Sequence, residues 1–200
     1  MKKILLIFGA NGSLGKGITK VLSEKNYDDI YLFDFEKPET VSGKHKFVVI
    51  DDLSVEENVE EAFSYVEREN NAVYFLYSTI GGFGGGTGIE DYDYDEWRNM
   101  FDKNLNTNFL LAKYFSKLVS DKNEGSVCFT SALTGVNPEK NKSAYGISKS
   151  ALIYLVKTLA KEGKENNITA NCIAPRVLDT EENREWVKDA SIMVNVEAVG

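Results

Sequence analysis

Histidine and cysteine are nearly missing from this 200-residue chain, and their scarcity removes whole classes of chemistry. The one histidine, His45, stands in SGKHKF between a loop and a strand and reads as an exposed loop residue. The two cysteines, Cys128 and Cys172, each lie inside an apolar run, which suits buried thiols in a reducing compartment rather than a disulfide scaffold. One histidine without a cysteine cluster gives no dedicated zinc site, so no metal is expected. Basic runs are lacking too, and with a formal charge of −8 no nucleic-acid partner is expected. No apolar stretch approaches the length of a membrane span. The opening MKKILLIFGANG is basic and then apolar, as a signal peptide is, but its apolar part is short and runs into a glycine turn. It reads as a first strand, and a cytoplasmic protein without a membrane partner is the expectation. Repeats, linkers and low-complexity tracts are missing except for GGFGGGTG at Gly81–Gly88.

What is present is an ordinary globular composition, 42% apolar and 27% charged, over a length that suits a single domain spanning residues 1–200. Six short apolar runs read as strands covered on both faces: KILLIF, DIYLFD, KFVVID, AVYFLY, GSVCFT and ITANCIA. Amphipathic segments lie between them. VEENVEEAFSYVEREN places Val55, Val59, Ala62, Phe63 and Val66 at helical spacing, and SKSALIYLVKTLAKEGK places Leu152, Leu155, Val156 and Leu159 on one stripe. DEWRNMFDKNLNTNFLLAKYFSKLVSDK is long enough for one extended helix or two joined ones. Strand–helix alternation of this kind predicts an α/β fold with a doubly wound parallel sheet. The glycine-rich Gly81–Gly88 follows a strand, where such a sheet puts its ligand-binding loops.

The loop IFGANGSLGKGITKVL joins the first strand to the first helix, with Gly9, Gly12 and Gly15 spaced G-x-x-G-x-x-G. Glycine there permits a tight turn and close approach of a pyrophosphate to backbone N–H groups, and the helix N-terminus supplies unpaired donors. Glycine spacing alone also serves plain turns. Following a strand and opening a helix, the loop meets the context a Rossmann-type dinucleotide site requires, so Gly9, Asn11, Gly12, Ser13, Leu14 and Gly15 are candidate cofactor-binding residues. Asp34 ends the second strand, where a carboxylate can accept from adenosine ribose hydroxyls and would repel a 2′-phosphate. No arginine follows it, and Lys37 is the nearest cation, which favours NAD over NADP. The plainer reading is that Asp34 starts a turn. Asp51 and Asp52 precede a helix starting near Val55, which Asp52 or Ser54 could cap.

In SAYGISKSA, Tyr145 and Lys149 stand four positions apart just ahead of an apolar helical run, so a phenol and an ammonium share one face of a helix start. With these residues in view the chain resembles the short-chain dehydrogenase/reductase family over nearly its whole length. YGISK resembles the family's Tyr-x-x-x-Lys; DKNLNTNF resembles the helix carrying its asparagine, here Asn104. ITANCIAPRVLDT resembles the strand-six motif, with Pro175 and a nicotinamide-side Thr180, and DDLSVEENVEEAF the adenine-contacting segment, with Asp52 and Leu53. The resemblance implies that Tyr145 protonates a substrate carbonyl oxygen, or takes the proton in reverse. It implies that Lys149 lowers the phenol's pKa from its free value of about 10 and holds the nicotinamide ribose. Asn104 would hold a water linking the lysine to solvent. A small-molecule substrate and a homodimer or homotetramer are implied as well.

Three departures from the family pattern shape the expectation. The serine that usually precedes the tyrosine by thirteen residues is replaced by Ala132. Ser131 can serve only if the strand has ended and the loop turns it back, and Thr134 is the other candidate. Losing one oxyanion donor costs a few kcal/mol. The family's Asn-Asn-Ala-Gly appears as Ser78-Thr79-Ile80-Gly81, followed by GFGGG; together with Ala132 this is similar to the dihydropteridine reductase branch, which reduces quinonoid pterins with NADH. Finally, no seventh strand is evident, and EENREWVKDASIM reads as an incomplete lid in which Trp186 packs a short helix or faces the substrate. The expected activity is hydride transfer between a nicotinamide cofactor and a carbonyl, alcohol or quinonoid substrate. A binding or sensing protein of the same fold without turnover is the alternative. The larger sugar-nucleotide epimerase/dehydratase relatives share the glycine spacing and the Tyr/Lys pair but need a substrate domain for which this chain has no room.

Overall fold

The computed structural model describes residues 1–37, 45–119 and 122–200. All six expected strands form: β1 (Lys2–Phe8), β2 (Asp29–Asp34), β3 (His45–Val49), β4 (Ala72–Ser78), β5 (Glu124–Thr130) and β6 (Ile168–Ile173). They make one parallel sheet in the order β3-β2-β1-β4-β5-β6. Continuous apolar runs give this arrangement because successive side chains point to opposite faces and both faces are covered. Along β1, Ile4, Leu6 and Phe8 enter one core, while Leu5 and Ile7 enter the other. His45 is not the exposed loop residue expected: it is the first residue of β3, half-buried, and burial holds its imidazole pKa below the usual value. Residues 42–44 of the same stretch lie outside the described residues.

The first core is covered by α2 (Glu56–Ser64), α4 (Thr107–Leu118) and α5 (Ser143–Glu162), whose apolar stripes include Val59, Leu111, Phe115, Leu152 and Val156. Asp52 does not cap α2. The N-cap is Val55, without a side-chain bond, and Asp52 Oδ1 instead accepts from Ser54 N at 2.8 Å, shaping the turn before the helix. The long segment after the glycine-rich loop resolves into α3 (Tyr94–Phe101) and α4, joined by a π-helical turn at Asp102–Asn106; its expected end at residues 120 and 121 lies outside the described residues.

The second core lies under α1 (Ser13–Ser23), with Leu14 and Ile18 against Leu5, Ile7, Ile30 and Leu32. Past β6, a separate two-stranded parallel ribbon pairs β7 (Val177–Asp179) with β8 (Met193–Asn195), and α6 (Glu181–Arg184) lies between them. Residues 196–199 return to α1. A Cβ on Gly17 would lie 2.6 Å from Val196 Cγ2, Lys20 pairs with Glu197 at 2.6 Å, and the Tyr77 hydroxyl donates to Val199 O at 3.2 Å. Among the described residues no seventh strand joins the main sheet, so β3 and β6 are its outer strands. The order of strands reverses direction between β1 and β4. Ligands of open α/β sheets bind in the crevice outside the strand ends at such a switch point.

Candidate functional site

At the carboxyl end of β1 the chain turns through Gly9, at φ 80°, into α1. A side chain at Gly9 would meet Thr79 Oγ1 at 2.5 Å, and one at Gly15 would run into Gly9 O at 1.9 Å, so the turn closes only with glycine at both positions. The N-cap of α1 is Gly12 and makes no side-chain bond, which leaves the first-turn N–H groups without a side-chain acceptor. Asp34, 6% exposed, braces the loop: Oδ2 accepts from Asn11 N at 2.7 Å and Oδ1 from Phe35 N at 2.8 Å. A cleft of about 730 Å³ opens there, lined by Gly9, Asn11, Gly12, Asp34, Asp52 and Leu53 among others. The structure thus gathers six of the expected cofactor residues around one volume. Leu14 and Gly15 lie beneath it, buried, and support the turn.

A second cleft, about 550 Å³, holds Gly81, Ser131, Tyr145, Lys149 and Pro175. Lys149 is 4% exposed and its Nζ donates to Thr130 O at 2.9 Å. Burial depresses its pKa from 10.5 to about 8. Asn104, fully buried in the π-helical turn, accepts from Gly82 N at 2.8 Å through Oδ1, and its Nδ2 donates to Gly82 O at 3.1 Å and Ser148 Oγ at 3.0 Å. Ser148 in turn donates to Tyr145 O at 2.9 Å. Gly81 is where these groups converge: a Cβ there would lie 2.5 Å from Lys149 Nζ and 2.7 Å from Asn104 Oδ1.

The phenol of Tyr145 is pushed up to about 12, first by burial and then by the negative charge of Glu139. The expected lowering by Lys149 is not seen, because the ammonium is turned to the Thr130 carbonyl. Neither candidate replacement for the missing serine has a free proton. β5 ends at Thr130, so strand alternation does not constrain Ser131, yet its hydroxyl is 2% exposed and donates to Lys149 O at 2.9 Å. The Thr134 hydroxyl donates to Glu139 Oε1 at 2.5 Å. Thr180 is placed in neither cleft lining; it caps α6, accepting from Asn183 N at 3.2 Å.

A family model described as short chain dehydrogenase matches residues 3–191. The chain belongs to the short-chain dehydrogenase family. It is 30% identical to a dihydropteridine reductase of Dictyostelium discoideum over 193 residues, covering 96% of this chain and 80% of the relative. It is 26% identical to a 7alpha-hydroxysteroid dehydrogenase of Bacteroides fragilis, covering 89% and 72%. The fold is shared with a short chain dehydrogenase from Burkholderia cenocepacia in complex with NADP, at a TM-score of 0.86, 18% identity, and 99% and 81% coverage. It is shared too with one from Leptospira borgpetersenii with bound NAD+, at a TM-score of 0.76, 22% identity, and 90% and 73% coverage.

Membership of the short-chain dehydrogenase family brings with it a nicotinamide cofactor and oxidoreductase chemistry, and the cradle at Gly9–Gly15 with its uncapped helix N-terminus fits a dinucleotide. Phe83 and Glu182 carry no signal of their own in sequence, and Trp186 only an ambiguous one. Phe83 meets the Tyr145 ring edge-on, with centroids 5.1 Å apart, and stacks with Trp186 at 6.3 Å and 13° between planes. Trp186 therefore stands on the side of the Tyr145 cleft rather than merely packing a helix. Glu182 of α6 reaches the first turn of α1, where Ser13 Oγ donates to its two carboxylate oxygens at 3.1 and 3.3 Å. Thr134, weighed as a replacement for the missing serine, was the sequence signal that lay beside Glu139.

Proposed function

We propose that this chain is an NAD-preferring reductase of small carbonyl or quinonoid substrates, with Tyr145 as the general acid. The observation that carries the reading is the meeting of Lys149 and Asn104 at Gly81, in the aromatic-walled cleft that Tyr145 also lines. When bound, the nicotinamide supplies the hydride. Tyr145 holds a proton at its phenol oxygen across the neutral range, because burial and Glu139 keep its pKa near 12, and so it is ready to donate to a developing oxyanion. Lys149, cationic below about pH 8, donates to the Thr130 carbonyl here and would favour the negative charge left on the phenol oxygen only by turning toward it after that donation. Asn104 fixes Gly82 and Ser148, which hold the loop and the first turns of α5 at their spacing, and the relay water expected there belongs to this proposal. Asp34 would accept from ribose hydroxyls with the lone pairs its two backbone bonds leave, and it disfavours a 2′-phosphate; this supports NAD. Likeness to a dihydropteridine reductase, together with Ala132, supports a quinonoid substrate needing little help from a serine donor.

One observation favours the alternative of a binding protein without turnover: the hydroxyls of Ser131 and Thr134 are both committed elsewhere. A single experiment separates the readings. The parent and Tyr145→Phe are titrated with NADH and NADPH by nicotinamide fluorescence and then assayed on a panel of diketones and quinonoid pterins. The reductase reading expects tighter binding of NADH by both proteins, turnover by the parent, and a loss of about 10²–10⁴ in kcat for the variant. Binding without turnover by the parent would establish the alternative.

A further inference from the structure

The cleft beside Tyr145 holds a carboxylate that the proposed chemistry uses only for its charge, leaving its acceptor positions without a role. Glu139 stands in the connection between the turn at Leu133–Gly135 and α5, and it lines the same volume as Tyr145, Phe83 and Trp186. It is held in place from two sides. Thr134, 8% exposed and packed against Gly146, donates to Oε1 at 2.5 Å, and Lys142 donates to Oε2 at 2.7 Å. A carboxylate offers about four acceptor positions, so two remain for a ligand. Preorganised polar groups of this kind in a largely apolar cleft are what orient a small molecule.

The wall beside it is aromatic. Phe83 and Trp186 lie nearly parallel, and each keeps more than half its surface open, at 60% and 56%. Exposed aromatics meeting face to face at the mouth of a cleft supply a surface for another ring. The other charged groups in this volume are Lys142 and Arg176, apart from the buried Lys149. Lys142 is engaged by Glu139 and lies over the Phe83 ring at 5.6 Å, so it screens the carboxylate without filling its remaining acceptor positions.

We propose that Glu139 determines specificity: its carboxylate reads two adjacent N–H donors on the edge of a flat nitrogen heterocycle laid against Phe83 and Trp186, with the reacting atom toward Tyr145. A carboxylate accepts such a pair side by side, and it repels an edge on which one donor is exchanged for a carbonyl oxygen. The inference rests on the reductase reading only for the direction in which the ring faces.

Pterin and lumazine test it, because they share a ring system and differ in presenting an amino group or a carbonyl at one edge. Their binding to the full chain, followed by quenching of tryptophan emission, needs no turnover. The parent should bind pterin at least about tenfold more tightly than lumazine, the scale of a hydrogen bond to a charged group. Glu139→Gln, which keeps the shape and can still accept from Thr134, should lose most of that preference while its NADH affinity stays as in the parent. Equal affinity for the two rings in the parent, no binding of either, or a preference that survives in Glu139→Gln would overturn the proposal. Turnover with NADH in a parent that shows no preference would sink this inference alone. A preference without any turnover would sink the reductase reading and leave Glu139 its role.

Discussion

Lys149 is the residue on which stability and chemistry pull in opposite directions. Its ammonium is 4% exposed with one carbonyl partner, and burial has brought its pKa from 10.5 to about 8. In the unfolded chain the amine keeps its proton up to about 10.5, whereas the folded chain sheds it near 8. Between those values the unfolded state binds more protons, so this group's contribution to stability rises with pH through the window and is least favourable below it. Lys149→Met should therefore be more stable than the parent at pH 7 by about 1–3 kcal/mol, after allowance for the lost bond to Thr130 O. The advantage should shrink as pH approaches 10. Urea melts at pH 7 and 9.5 check it; an advantage that does not change with pH would show that packing, not charge, is responsible. If the proposed mechanism holds, the same ammonium should set the pH profile of reduction. Rates should hold through neutral pH and fall above about 8 as the cation is lost, because Tyr145 itself stays protonated there. Tyr145 and Lys149 were legible in sequence because i, i+4 spacing on a helix puts them on one face. Glu139, Ser148 and Thr130 were not, because each acts through a contact between elements that no local spacing encodes.

At the scale of elements, the first turn of α1 is shared between what it can bind and what it holds. Its N–H groups have no side-chain cap, yet Glu182 of the short α6 lies against Ser13 beside them and near the charge of Lys16. A carboxylate at a helix N-terminus takes the place that suits an anion. Entry of a dinucleotide pyrophosphate would have to displace or repel it. Glu182→Gln is expected to tighten NADH binding about two- to fivefold, the range of a surface charge at a helix end, and the gain should fade in high salt. Unchanged affinity at low salt would mean that α6 already stands clear of the phosphates. The sequence signals for these elements were unequal in strength. Gly9, Gly12 and Gly15 announce the loop by their spacing, and no side chain fits at Gly9 or Gly15, as the 1.9 Å approach at Gly15 makes plain. The π-helical turn at Asp102–Asn106 has no comparable mark; its residues read as ordinary helix, and the wide turn is held by contacts between elements, Asn104 with Gly82 among them, and by side-chain bonds of Asn106 and Thr107 to Asp102.

For the whole molecule, the parallel sheet was the easiest feature to foresee, since strands buried on both faces show as unbroken apolar runs and no other fold class alternates them with helices in this way. The ribbon of β7 and β8 was harder. Its strands are three residues each and half-buried, too short to carry a period. Yet that part of the chain closes the second core. The contacts of α1 with this part of the chain, Lys20 with Glu197 across 177 positions and Ser13 with Glu182 across 169, and that of Tyr77 in β4 with Val199 across 122, are among the most distant pairings in the molecule. Distant pairings form late in a conformational search because the loop they close must first lose its freedom. A refolding chain should thus recover its helical ellipticity and sheet before it recovers a seated first helix. Stopped-flow refolding with NADH present should show nicotinamide fluorescence lagging the far-ultraviolet signal. Superimposed traces would mean that α1 is seated by the sheet alone. A newly made molecule would then pass through an interval in which it is already compact but unable to hold its coenzyme, and during that interval coenzyme concentration would have no influence on how much of it survives.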